Sequence, residues 1–234
     1  MFKKILSIAL VITVFTLQSK AQTVDEIINK HIEARGGAEK LKNLQTMVME
    51  GRVEQGGNEI ALKFYLSNGI GVRTEFSVMG QTGYNILTPA GGWSFNPFAG
   101  NTEAQAMPED QVKEGQSQLD IVGPLYDYKA KGNKIDLQGK EKIEGKDCYK
   151  LLLTRANGKT VTYFIDEAGL VLRSVSTSTV NGSETEVTTD FSDYRKTPDG
   201  YLVAFKRINA NGEISFDKIE TNVKIDDTVF KPGN

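Results

Sequence analysis

The chain has 234 residues, 39% apolar, 25% charged and 9% aromatic, with a net charge of −2. One Cys and one His exclude an internal disulfide, a Cys-based zinc cluster and a His-pair metal site. They also nearly empty the list of neutral-pH general bases, and the charge leaves no electrostatic footprint for nucleic acid.

Residues 1–21 read as an address. Lys3 and Lys4 form a positive start, Ile5 to Leu17 an apolar run, and Ser19-Lys20-Ala21 a small-residue cleavage site. The run is about 13 residues, short for a membrane span. A cleaved secretory leader is therefore expected, with Gln22 opening the mature chain. The only Cys, Cys148, lies far from that point, so lipidation there is not expected. Loss of Lys3, Lys4 and Lys20 leaves 25 basic against 30 acidic residues, a mature charge of −5. Contact with an anionic membrane surface would then rest on apolar area rather than charge. No further segment is long and apolar enough to span a membrane.

Residues 22–234 are long enough for one sizeable core, and no linker divides them. Thr23-Val24-Asp25-Glu26 is a capping box. Val24, Ile27, Ile28 and Ile32 then recur at helical spacing until Gly36-Gly37 stops the helix. A short helix is expected over Ala38 to Leu44. The period then changes to two. Ile60, Leu62, Phe64 and Leu66 fall on one face, as do Ile70, Val72, Phe76 and Val78 in the next run. Gly-containing turns follow at intervals: Gly56-Gly57-Asn58, Asn68-Gly69, Asn157-Gly158, Ala168-Gly169, Asn181-Gly182, Asp199-Gly200 and Asn211-Gly212. At most about a dozen strands are predicted, in two blocks near 45–95 and 134–224.

Between the blocks lies 96–133, with Pro97-Phe98 and a helix start at Pro108-Glu109-Asp110. Its sparse apolar positions, Val112 and Leu119, predict a weakly anchored lid-like insertion.

The predicted fold is mainly β, a single curved antiparallel sheet forming an incomplete barrel with short helices across its concave face. An apolar hollow under those helices needs no catalytic residue. It would bind an acyl chain through burial worth about 0.8 kcal/mol per CH₂. The candidate lining is Ile60, Leu62, Phe64, Leu66, Val72 and Phe76, with Trp93, Phe95 and Phe98 as an aromatic rim. Pattern alone leaves open whether the hollow is empty or filled. His31 sits beside the apolar stripe of the first helix and reads as a packing residue, and Cys148 as a small buried hydrophobe. There is no nucleophile elbow, Walker loop or HExxH motif, so neither enzyme activity nor a cofactor or metal is expected.

Several stretches together resemble one family. They are Asp25 to Leu41, Glu50-Gly51-Arg52-Val53, Gly123-Pro-Leu-Tyr-Asp-Tyr-Lys-Ala-Lys-Gly132 and Gly139-Lys-Glu-Lys-Ile-Glu-Gly145. Tyr163-Phe-Ile-Asp166, Ser192-Asp-Tyr-Arg195 and Asn222 to Pro232 complete the set. This order of segments resembles the exported LolA-like outer-membrane lipoprotein-sorting proteins of Bacteroidota. The resemblance implies an incomplete barrel with helices across its hollow. It also implies a periplasmic carrier that shelters acyl chains of a lipoprotein or lipid for transfer towards the outer membrane, with envelope proteins as donor and acceptor. The alternative it leaves is an envelope interaction or sensor module of the same fold with a filled core. The carriers' lid-closing arginine has no matching motif; Arg52 and Arg73 are candidates by strand position, and neither is assigned the role.

Overall fold

The computed structural model describes residues 22–55, 57–180 and 183–233. The expected leader and the turn at Asn181-Gly182 lie outside the described residues, as does Gly56. The chain opens with α1 (Val24–Ala34) and α2 (Ala38–Lys42). The capping box forms as expected, with the Glu26 amide donating to Thr23 Oγ1 and the Thr23 amide donating to Glu26 Oε2 at 2.8 Å.

Six strands follow: β1 (Thr46–Gln55), β2 (Asn58–Ser67), β3 (Gly71–Val78), β4 (Gln81–Thr88), β5 (Gly91–Phe95) and the short β6 (Gln105–Ala106). Next come α3 (Glu109–Gly115) and a 3₁₀ turn, Gln116–Leu119. The second block holds β7 (Lys134–Ile143), β8 (Lys146–Thr154), β9 (Thr160–Asp166), β10 (Val171–Val180), β11 (Ser183–Lys196), β12 (Leu202–Asn209) and β13 (Gly212–Thr221). A 3₁₀ turn, Asp227–Phe230, ends the chain's regular structure. Among the described residues the count is thirteen strands, one more than expected. The extra strand is β6, two residues inside the segment read as an insertion.

All thirteen strands form one antiparallel sheet, in the order β6-β5-β4-β3-β2-β1-β13-β12-β11-β10-β9-β8-β7. It is not closed. Each block is a simple meander, which suits the short turns between its strands. The blocks join where β1 pairs with β13, from Met47 opposite Thr221 to Val53 opposite Ile214.

This order gives the middle segment a task. It leaves the sheet at β6, one edge, and re-enters at β7, the other edge. Laid flat, thirteen strands would hold those edges roughly 55–60 Å apart. Residues 107–133 therefore form a strap from edge to edge, and they travel across the face that α1 and α2 also cover. We call this the inner face.

The strap meets the sheet in steps. Leu119 packs on Val72 and Leu87 of β3 and β4. Val122 joins Met47, Met49, Phe205 and Phe216 under α2. Leu125 joins Leu151, Leu153 and Ile165 under α1. All three strap residues are buried. The weak anchoring expected from Val112 and Leu119 is thus corrected: apolar residues outside any helix, Val122 and Leu125, supply it.

A second apolar cluster lies on the outer face. Phe230 of the C-terminal turn packs with Tyr84 and Ile86 of β4, and its ring lies on Gly71, where a Cβ would approach ring atoms to 2.6 Å. Burial of the inner face carries much of the stability, and Leu151 is fully buried beneath α1. Leu151→Ala should lower unfolding free energy by about 2–5 kcal/mol, read from urea unfolding curves.

Candidate functional site

The inner face lies beneath a roof of α1, α2 and the strap. Several polar contacts pin the strap. The Gly69 amide donates to the Leu119 carbonyl at 2.9 Å. Lys131 donates to Asp120 at 2.7 Å and to the Gly123 carbonyl at 2.9 Å. Asn133 donates to the Pro124 carbonyl at 3.1 Å. Tyr128 and Lys129 both reach Asp25 on α1, at 2.8 and 2.7 Å. Arg35, which caps α1, donates to the Val122 carbonyl at 2.6 Å. The Asp25 contacts are exposed and the others part-buried, so the roof is tied to the sheet and to α1 by polar groups at its margin as well as by its apolar residues.

Three spaces remain around this roof. One, of about 220 Å³, lies between α1, strap residues 121–125 and strands β9 to β12. Its lining includes Arg35, Tyr163, Val171, Phe191, Tyr194, Val203 and Arg207. A second, of about 330 Å³, lies under α3 on Val72, Thr74, Asn85 and Leu87. A third, of about 470 Å³, sits at the β5 edge among Gly91, Trp93, Met107 and Val112. The first falls below the roughly 300 Å³ at which small-molecule pockets begin. The second and third exceed it, so the space on this face is divided into separate pockets rather than one continuous hollow.

The predicted lining residues divide. Phe64 and Leu66 pack in the cluster under α2, with Phe64 edge-on to Phe216 at 5.8 Å. Val72 lines the second space. Ile60, Leu62 and Phe76 share this inner face by register, opposite Val53, Gly51 and Gly83. They lie towards the far end of their strands and line none of the three spaces. Phe76 lies over Gly83, and Phe98 meets it at 6.1 Å while staying 48% exposed.

The aromatic rim needs correcting. Trp93 pairs with Ile86, and Phe95 with Tyr84. Both belong to the outer-face register and pack around Phe230's cluster. Trp93 touches only the open third space at the edge. Their odd spacing from Gly92, which faces Leu87 on the inner side, puts them there. Arg52 and Arg73 also fall outside the roof. Arg52 pairs with Asp217 at 2.7 Å on the surface. Arg73 is buried on the outer face, bound to Glu75 at 2.8 Å and the Val229 carbonyl at 3.1 Å.

The sequence reading missed the polar groups of the first space. Arg207 follows Val203 and Phe205 at period two, so an arginine at an apolar position was the available signal. It is packed against the Phe216 ring at 5.1 Å, and its Nε is buried without a hydrogen-bond partner. Burial draws the guanidinium groups of both Arg207 and Arg35 below their ordinary value. Burial pushes the Tyr194 hydroxyl up to about 12, and it donates to the Val171 carbonyl at 2.6 Å. Tyr163 is likewise raised by burial. Among the described residues, no group of three or more His, Cys, Asp and Glu is placed to hold a metal ion.

His31 closes one wall of this space. It is only 6% exposed, and its Nδ1 lies 2.8 Å from the Gly169 carbonyl. A carbonyl accepts, so the neutral ring carries its proton on Nδ1. Gly169 has φ +87°, and a Cβ there would meet the Lys30 carbonyl at 2.8 Å. The turn thus approaches α1 in a way that favours glycine.

No family model matches this sequence, and no curated protein sequence matches it. Solved structures do resemble the fold. A LolA superfamily protein from Nitrosomonas europaea overlays with a TM-score of 0.57 at 14% identity, covering 90% of this chain and 98% of that one. A DUF1329 family protein from Desulfovibrio piger overlays with a TM-score of 0.53 at 14% identity, covering 89% and 97%. The likeness is one of fold. The chain has the LolA-like architecture, an open antiparallel half-barrel with a few short helices on its inner face. No helix among the described residues is long and apolar enough to cross a membrane.

Burial holds the native pKa of His31 at about 4, against 6.5 for a free histidine. Between those values the unfolded chain binds a proton that the native chain does not. Stability contributed by neutral His31 is therefore complete above the upper value and is lost as pH falls towards the lower one. The loss should total about 3 kcal/mol. Denaturant unfolding across pH 7 to 4 should show this slope, and His31→Gln should flatten it relative to the parent.

Proposed function

We propose that this protein is an exported, non-enzymatic carrier that shelters the acyl chains of a lipid or lipoprotein beneath the strap, for transfer towards the outer membrane. In this reading residues 1–21 are removed on export, residues 22–234 act as one domain, and 96–133 serves as its lid. The observation that carries it is the strap itself. An apolar sheet face is covered by a connecting segment that touches it through a few apolar residues and polar ties, with space left beneath it. The LolA-like fold and the resemblance in sequence support the same reading. Each methylene brought under the roof gains about 0.8 kcal/mol, so binding requires no charged or reactive group. The division of the space into separate pockets favours one alternative, an envelope interaction module whose core stays filled.

The test is direct. The full chain is expressed with its leader, recovered from the periplasm without detergent, and its extracted lipids are identified by mass spectrometry. A carrier should yield stoichiometric lipid and take up a fluorescent fatty acid saturably. No bound lipid together with no uptake would leave the filled module as the better description.

Two substitutions probe the roof and floor. Lys131→Ala removes both pins of the strap's bend and should speed fatty-acid uptake several-fold in stopped-flow fluorescence. Phe64→Asp sets an unpaired carboxylate against the Phe216 ring and should abolish uptake while lowering the melting temperature. Unchanged uptake and stability would remove the inner face of β2 from the site.

A further inference from the structure

The space beneath α1 is chemically unlike the rest of the inner face. An acyl chain needs only apolar walls, yet two half-buried arginines line this one. Arginine keeps its proton in proteins, so both carry charge. A buried charge ordinarily has a counter-charge or a full set of hydrogen bonds. Neither arginine has an ion pair among the described residues. Arg35 has one carbonyl, that of Val122. Arg207 has the Phe216 ring, a long 3.9 Å contact with the Met49 sulfur, and a buried Nε with no partner.

The neighbouring groups form no ion pair with either arginine; Asp120 acts on Arg35 only through space. Asp120 is taken by Lys131 at 2.7 Å. Tyr194 points its proton at the Val171 carbonyl and stays neutral. His31 is neutral and donates to Gly169. The space thus has two cations, no anion, and apolar walls that include Phe191 and Val171.

We propose that this space receives the anionic headgroup of a single-chain amphiphile, a carboxylate or phosphate monoester, with Arg207 and Arg35 as its binding groups. A guanidinium matches a carboxylate or phosphate by its fork of N–H groups, and Arg207 and Arg35 both line the space that would hold the headgroup. The tail lies against the apolar inner face. Such a cargo differs from a lipoprotein's acyl end, which is uncharged. The inference rests on the carrier reading and narrows its cargo.

The experiment uses the delipidated full chain as exported, with decanoate, decyl phosphate, decanol and inorganic phosphate as probes in isothermal titration calorimetry. Decanoate and decyl phosphate should each bind at least about tenfold tighter than decanol, a difference of about 1.4 kcal/mol. Inorganic phosphate should bind far more weakly than decyl phosphate. Arg207→Met should bring decanoate to the affinity of decanol and leave decanol within about twofold. Arg207→Lys, which keeps charge but loses the fork, should fall between. If Arg207→Met does not fold, the thermal shifts of the parent chain decide, with decanoate and decyl phosphate expected to exceed decanol.

Equal affinity for decanol and decanoate would overturn the inference and leave the carrier reading standing. So would a headgroup preference that survives in both Arg207→Met and Arg35→Met. Inorganic phosphate binding as tightly as decyl phosphate would overturn it in favour of a free-anion site. No binding of any amphiphile would overturn both.

Discussion

An antiparallel sheet with one apolar face has to cover that face, and here the chain's own path supplies most of the cover. The strap must pass from β6 to β7, the two edges of a sheet too wide to cross when flat. Curling the sheet and laying the strap across its inner face meet that requirement together. Leu119, Val122 and Leu125 then drop into three successive clusters from one side of the sheet to the other. α1 and α2 fill what the strap leaves. The site is therefore a by-product of topology, since every space beneath the roof is a gap between a fixed floor and a connection.

Much of this was legible in the sequence. The capping box, α1, strands β2 and β3 and the turns at Asn68, Asn157, Ala168, Asp199 and Asn211 follow from local pattern, and each sits where the pattern puts it. The inner parity of Phe64, Leu66 and Val72 followed from period two. The failures are non-local. Trp93 and Phe95 look like a rim because they are near one in sequence, yet the β4 pairing turns both outward. The anchoring of Val122 and Leu125 could not be seen because neither belongs to a periodic element. Nor can the meeting of Arg35 and Arg207 around one space be read from spacing. One lies at the end of the first helix and the other in the next-to-last strand of the sheet.

The two faces of the sheet handle charge differently. On the outer face, Arg73 is buried but supplied with Glu75, the Val229 carbonyl and the Tyr84 ring at 4.1 Å. Arg173 pairs with Asp190 at 2.5 Å. Under the roof, Arg35 and Arg207 have no such carboxylates. The contrast within one protein makes the unpaired charge a property of the inner space rather than a general habit of this sequence. It also explains how a chain with one His and one Cys can still present a chemically distinctive interior.

The seam between β1 and β13 carries a consequence for how the molecule comes together and comes apart. Each meander is built from hairpins, so its contacts close short loops. Among the strand pairings, only the seam joins partners near opposite ends of the described chain, as Met47 and Thr221 do. Loop-closure entropy makes that the slow contact to form, and β1 stands as a bare edge until it does. A chain cut before β13 would not merely fray at its end. It would lose the middle of its sheet, leaving two half-sheets tied by the strap and by the packing of α1 and α2.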